Sequence, residues 1–443
     1  MNYSSNNEEL AALVTKLGIV STPDAATVLT NAAGKTDTNL LSSVKVLTNV
    51  STLTTRLHTD IPEEYEGGKG EPIQMRSSKY EGTLKALLPL GADIYSTVDE
   101  DGKPYLGVEG KAKVAIETID ELPPEVKPGQ PLIQLALSGA ENTKMLRQGL
   151  SSTAAKGSDG TQNGILTINA LSGVISAFSM DGNQFSWATV QAKIPQVPEG
   201  NEKALAMKQA MDDALTKYCD EHEGQAPEAF NVNIPRDEIM RLRQLTSGAK
   251  TVIYCIDEAH ATVQIDSSTL YTFTLARTSR VNPAVFIPKL TRFEDAAVKV
   301  EFDNADLTAA VDGQNNLLSL YGDTKKVPIT INVPETEGKG ELVVATPHAE
   351  YRVPFTETTG EAVANVSVAY TKAALSLVAK GNTVLEIAPG IVFLKNGTLA
   401  ETDDSAVVGF SQVAPKQVSE TSDEEAKDGV ETDEASDETP AEE

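Results

Sequence analysis

Apolar and polar positions along this chain alternate between two periods, one suited to short helices and one suited to strands, and the alternation recurs about six times. Helix-like stretches begin near Asn7, Lys79, Ala140, Arg236, Asn304 and Tyr370, at spacings of 72, 61, 96, 68 and 66 residues. The long spacing contains a charged, helix-like insertion at roughly 195–229; without its roughly 35 residues that spacing also falls to about 61. Near-even spacing implies one building block reused. PRDEIMRLRQL illustrates its helix, with Ile239, Leu242 and Leu245 at core-facing steps and polar residues opposite. Three of the helices end alike, at Leu90-Gly91, Ser247-Gly248 and Lys380-Gly381, where glycine supplies the left-handed residue that turns the chain back. Strand-like text follows each glycine, as in GADIYSTVDEDGKPYLGVEG, GAKTVIYCIDEAHATVQIDS and GNTVLEIAPGIVFLKNG; VSVAY, TVLEIA, GIVFL and VVGF are β-branched or aromatic runs, and EDGKP and KNGTL are hairpin signals. The expected architecture is α+β, with three similar domains of two helices each, the helices in one layer and antiparallel sheets outside. The insertion predicts a helix with Ala204, Met207, Met211, Leu215 and Tyr218 along one face, packed on its own domain as surface decoration or docking a partner.

Composition narrows the class. The chain has 443 residues, enough for about three domains, and its 40% hydrophobic content supports ordinary cores. No stretch approaches the ~20 apolar residues of a membrane span, and MNYSSNNEEL lacks a signal-peptide layout. Cys219 and Cys255 form no pattern, and Cys255, inside TVIYCI, reads as a small core residue. A cytoplasmic protein is expected.

The net charge of −27 is uneven. Residues 417–443 hold twelve acids and one lysine, hence −11, and leave −16 for the rest. With almost no aliphatic residues, that segment reads as a disordered acidic tail, solubilising or regulatory. Acidity ordinarily argues against nucleic acid, yet the helices are locally basic. Lys79 and Lys85 lie on the second; Lys144 and Arg147 on the third, with Lys156 beyond; Arg236, Arg241 and Arg243 on the fourth; Lys372 and Lys380 mark the sixth. A solvated helix face explains each cluster alone. Recurrence on equivalent helices is harder to explain that way, and predicts a basic lining within an acidic body.

Catalytic signals are lacking. His58, His222, His260 and His348 have no spacing suited to a metal or a triad. No phosphate-binding loop ends in Gly-Lys-Ser/Thr, and GLSSTAAKGSDG lacks the nucleophile elbow. Neither an enzyme activity, a cofactor nor a metal is expected.

Several segments resemble the bacterial-type DNA polymerase sliding clamp, the β subunit. NGILTINALSGVISAFSMDGNQFSWATVQAKI is similar to the clamp segment ending in Asp-Gly-His-Arg-Leu, and FNVNIPRDEIMRLRQLTSGAKTVIYCIDEAHATVQIDSSTLYTFTLARTSRVNPAVFIPK follows the family's order. The first and third domains match more loosely, through SKYEGTLKALLPLGADIYSTVDEDGKPYLGVEG and YTKAALSLVAKGNTVLEIAPGIVFLKNGT. The resemblance covers most of residues 1–416 and implies clamp domains at 1–128, 129–288 (with the insertion) and 289–416, followed by the tail 417–443. It implies a homodimeric ring around double-stranded DNA, bound without regard to sequence, a DNA polymerase as partner and a separate clamp loader. Carried over by position, Lys35 and Lys156 join the helix cations as DNA-facing residues, and Phe185, Pro288, Val408 and Phe410 line a groove for partner peptides between the second and third domains. The chain departs from the family in reading Asp181-Gly182-Asn183-Gln184-Phe185, which loses both basic side chains, and in extending about thirty residues beyond Gly409-Phe410-Ser411-Gln412. Those departures point to a dedicated partner set, such as that of a phage. The competing reading is a structural protein of a phage particle or compartment, built from repeated α+β domains.

Overall fold

In a computed structural model of the chain, the described residues are 5–35, 38–56, 72–90, 94–98, 103–108, 110–153, 163–195, 202–222, 229–265, 268–277, 282–283, 285–287, 297–324, 327–336 and 338–413. Element order shows the repeat directly. The first copy runs α1 (Ser5–Val20), β1 (Ala26–Lys35), β2 (Thr38–Leu47), β3 (Ser51–Arg56), β4 (Ile73–Arg76), α2 (Ser77–Leu87), β5 (Ile94–Val98), β6 (Pro104–Val108) and β7 (Ala112–Ala115). The second adds a leading strand: β8 (Ile133–Ser138), α3 (Gly139–Lys144), β9 (Asn163–Asn169), β10 (Val174–Met180), β11 (Gln184–Gln191), the inserted α4 (Glu202–Glu221), β12 (Ala229–Pro235), α5 (Arg236–Leu245), β13 (Thr251–Ile256), β14 (His260–Ile265) and β15 (Thr269–Thr274). The third matches it without the insertion: β16 (Val298–Asp303), α6 (Asn304–Leu320), β17 (Ile329–Val333), β18 (Gly340–Thr346), β19 (Ala349–Thr358), β20 (Ala362–Val366), α7 (Val368–Leu377), β21 (Asn382–Ala388), β22 (Ile391–Gly397) and β23 (Thr402–Ser411).

Local chemistry sets the helix ends. Asp303 accepts from the Ala305 N–H at 2.8 Å and Ser138 from the Glu141 N–H at 3.2 Å, each satisfying an N-terminal donor. The α5 helix begins after Pro235, carries Asp237 and Glu238 in its first turn and Arg243 in its last, in the sense its dipole favours. Its Ile239, Leu242 and Leu245 are buried, as their spacing predicts. Gly248 and Gly381 have φ of +79° and +107°, the left-handed conformation expected after these helices; Gly91 lies outside the described residues. The α3 helix ends in a single π turn, Met145–Gly149.

Antiparallel pairing joins the repeats into two long sheets. One runs β7-β6-β5-β2-β3-β15-β14-β13-β8, with β1 on β2 and β4 on β1; the other runs β12-β9-β10-β11-β23-β22-β21-β16-β19-β18-β17-β20. The repeats therefore meet in the same way twice. The third strand of the first copy, β3, pairs with the last strand of the second, β15, and β11 pairs likewise with β23. Pairing of adjacent edges satisfies backbone groups that an open sheet leaves exposed. The core follows these junctions. One apolar cluster is shared by the first two repeats, a second fills the third repeat, and a smaller one lies where the second and third meet.

Two expectations of packing are corrected. Only the C-terminal half of α4 packs, through Leu215 and Tyr218, while Met207 is 50% exposed and Leu205 61%; the side chain of Ala204 is outside the described residues. Cys255 is half-buried on the face of β13 opposite Val252, Tyr254 and Ile256, so it is not a core residue. Residues 417–443 lie outside the described part. Among the described residues no helix is long and apolar enough to cross a membrane.

Candidate functional site

The helices of the three repeats form one row. The α1 helix packs against α2 and α5, α5 against the π turn after α3, and α6 against α7. The gap between the π turn and α7 is bridged by Arg147, whose Nη2 donates to the Ser376 carbonyl at 2.6 Å. Two basic side chains of the second repeat also meet along this row: burial, and then the nearby Arg147 charge, pull the Arg243 guanidinium below its ordinary value.

The predicted cations do different things along this row. Lys79 and Lys380 are exposed and Arg236 is half-buried, and none of the three makes an ion pair among the described residues. Lys85 is exposed and pairs with Glu81 one turn earlier at 2.5 Å. Lys372 pairs with Asp312 of α6 at 2.7 Å. Lys144 is turned into the third repeat, where its ammonium donates to Ser405 Oγ and lies 3.8 Å from Asp403 Oδ2. Arg241 pairs with the buried Glu238, which also accepts from the Tyr271 hydroxyl. Burial pushes the Glu238 carboxyl up, while Arg241 and the two hydrogen bonds oppose that shift. Lys35 ends β1 with its side chain outside the described residues, and Lys156 is outside them altogether. Lys79, Arg236 and Lys380 are thus without an ion pair among the described residues, whereas Lys85 and Lys372 are paired and Arg147 and Arg243 crowd each other.

The groove residues are divided by strand parity. Phe185 lies in the small cluster between the second and third repeats, with Ile165, Phe178, Ala388, Phe393 and Val407. Val408 and Phe410 belong instead to the core of the third repeat, and are 2% and 0% exposed. Successive strand side chains point to opposite faces, and Phe185 pairs with Gly409. Odd-numbered positions of β23 therefore face Phe185 and even-numbered ones face away. The structure does not bring Val408 or Phe410 to Phe185, and Pro288 lies outside the described residues. Sequence reasoning missed Val407, Phe178, Phe393 and Phe286; the pairing of Phe185 with Gly409, once known, selects Val407.

The hairpin tip at residues 181–184 has a structural task. Asp181 Oδ1 accepts from the N–H groups of Asn183 and Gln184 at 3.0 and 2.7 Å, closing the hairpin. Asn183 then reaches the third repeat, donating to Tyr370 Oη at 3.1 Å and accepting from the Ser411 N–H at 2.8 Å.

A cavity of about 1000 Å³ lies beside the inserted α4, lined among others by Tyr218, His222, Phe230, His260 and Arg277. Its histidines are engaged locally: His222 stacks on Tyr218, and His260 Nδ1 lies 3.3 Å from Asp257 Oδ1. Among the described residues no three His, Cys, Asp or Glu side chains are grouped to hold a metal.

Three repeats, two helices in each, and sheets continuous across every junction define the sliding-clamp fold. No family model matches the sequence, and no curated protein matches it. Solved structures do. The DNA polymerase sliding clamp from Bacillus subtilis superposes with a TM-score of 0.68 at 13% identity, covering 92% of this chain and 98% of that one. The sliding clamp (DNA polymerase III subunit beta) from Pseudomonas aeruginosa bound to griselimycin gives 0.67 at 16%, with coverage of 92% and 98%. A putative DNA polymerase III beta subunit from Eubacterium rectale gives 0.64 at 16%, with 91% and 98%. At such identities the likeness fixes the fold.

Proposed function

We propose that this chain is a sliding clamp: two copies close head to tail around duplex DNA and hold a DNA polymerase on it, without catalysis of their own. The observation that carries this reading is the junction rule. The third strand after the first helix of one repeat pairs with the last strand of the next at β3–β15 and β11–β23. The same rule, applied once more, joins β19 of one chain to β7 of another. Among the described residues β7 pairs only with β6, and one edge of β19 over Ala349–Pro354 has no strand partner. Such a contact is heterologous, and it closes when the accumulated rotation of the repeats completes a circle. Leu320 and Tyr321, 76% and 58% exposed, close α6, and Tyr321 stacks on His348, the residue before β19. An exposed apolar pair at the end of a helix that reaches the start of an open strand fits a subunit contact.

The domains are then 1–128, 129–288 and 289–416, six in the ring. Lys79, Arg236 and Lys380 touch phosphates from the helix row, which is sequence-independent and suits sliding. A separate clamp loader opens the ring, and partner peptides enter the cluster around Phe185 with Val407 as part of the opposing wall. The reading is tested by negative-stain electron microscopy of the full chain at micromolar concentration. Closed rings of six similar lobes are expected; sheets, tubes or single crescents at every concentration overturn it.

A further inference from the structure

The cluster between the second and third repeats already holds an aromatic side chain that comes from no strand. Phe178, Phe185 and Phe393 are buried on β10, β11 and β22. Phe286 is half-buried and belongs to the segment that links the two repeats. Its ring meets Phe178 edge-on at 5.4 Å between centroids and Phe185 edge-on at 6.0 Å. Edge-to-face packing of this kind is what an aromatic side chain seeks in a pocket of aromatic rings. The N–H groups of Val285 and Phe286 both donate to the Asn282 carbonyl at 3.1 Å, and Val285 in the same turn is 52% exposed. Half-burial in a connecting turn, against full burial on three strands, sets Phe286 apart from the rings it meets.

We propose that Phe286 is a resident occupant of the interdomain groove, and that an incoming peptide must displace it to seat its own aromatic side chain. The inference rests on the reading of this cluster as the partner groove and adds how that groove is regulated. With Phe286 seated, only the fraction of molecules in which the turn has lifted away is competent to bind, and apparent affinity falls by that fraction. A partner able to deliver two or more anchors overcomes the occupant, whereas a short or weakly apolar peptide does not. The groove thereby rejects adventitious apolar segments while the chain is free.

The chain supplies its own reporter, because its one tryptophan, Trp187, packs against this cluster and donates its ring N–H to Ser176 Oγ at 2.7 Å. The experiment titrates acetyl-Leu-Phe amide into the full chain and follows Trp187 emission, for wild type, Phe286→Ala and Phe286→Leu. Phe286→Leu keeps an apolar side chain in place and guards against loss of the fold, which a urea melt of each variant checks. Binding about tenfold tighter in Phe286→Ala than in wild type, with Phe286→Leu between them, is the expected result. Equal affinity in all three, or weaker binding in well-folded Phe286→Ala, overturns the resident-occupant inference and leaves the groove itself standing. No binding by any of the three proteins overturns the groove reading as well.

Discussion

Phe185 packs against Gly409 so closely that a Cβ at position 409 would fall 2.2 Å from Phe185 Cε1. The two residues are paired across β11 and β23, the strands that join the second repeat to the third. Gly409 is therefore a spacing residue: it lets the ring lie flat on the neighbouring strand. Gly409→Ala forces the ring or the strand to move, at an overpacking cost of about 1–3 kcal/mol. Equilibrium urea unfolding should show the loss, and Phe185→Leu in the same chain should recover part of it. An unchanged midpoint for Gly409→Ala would mean that the ring has room to turn.

Glu238 accepts from Tyr271 of β15, the strand through which the second repeat pairs with β3 of the first. Burial raises the Glu238 carboxyl above its ordinary value, with Arg241 and Tyr271 opposing and Asp237 adding to the rise. For an acid raised on folding, the contribution to stability is fully present below the unfolded value and is lost as pH rises through the folded value. Wild type should therefore be most stable relative to Glu238→Gln in acid, and the gap should narrow as pH climbs through and above the usual carboxylate range. Urea midpoints of both proteins across that range test this; a gap that widens with pH contradicts the assigned direction.

The parts of the fold written in period and punctuation were legible. Six helix starts follow from apolar spacing and from prolines and glycines at element ends, and Gly248 and Gly381 take the conformation their position demands. Local chemistry suffices there. The division between Val407 and Val408 was not legible, because a one-residue shift of register moves every side chain of a strand to the other face. Only the pairing of Phe185 with Gly409 fixes that register. Lys144 was likewise read as a surface cation from its helix alone, whereas Asp403 and Ser405, more than 250 residues away in the chain, decide where its ammonium goes. The same holds for α4, whose stripe continues through Met207 although the core it meets ends near Leu215.

Leu320 and Tyr321 should be worth more to assembly than to folding, since both are largely exposed in the single chain. A charge placed at Leu320 would be desolvated at the β19–β7 contact, and a ring of two chains contains that contact twice. Leu320→Lys is expected to leave the urea midpoint of the single chain within about 0.5 kcal/mol, as surface substitutions usually do, while shifting sedimentation at micromolar concentration from dimer to monomer. A variant that sediments as wild type would remove this surface from the interface.

The cations of the helix row should separate into two groups by salt dependence. Lys79 and Lys380 are exposed and have no ion pair among the described residues, so each is free to displace a counterion from a phosphate. Replacing either with Ala should weaken binding to linear duplex DNA for every sequence alike and lower the slope of log K against log salt by about 1. Lys144 is committed to Asp403 and Ser405 at the junction of the second and third repeats. Lys144→Ala should leave that slope unchanged and instead lower stability by about 1 kcal/mol, the scale of a partly exposed ion pair with a charged hydrogen bond. Fluorescence anisotropy with a labelled duplex at several salt concentrations reads the first effect, and urea unfolding reads the second. If Lys144→Ala alters the slope as much as Lys79→Ala does, Lys144 leaves its acidic partner when DNA is present, and the row is more uniformly basic in use than in the free chain.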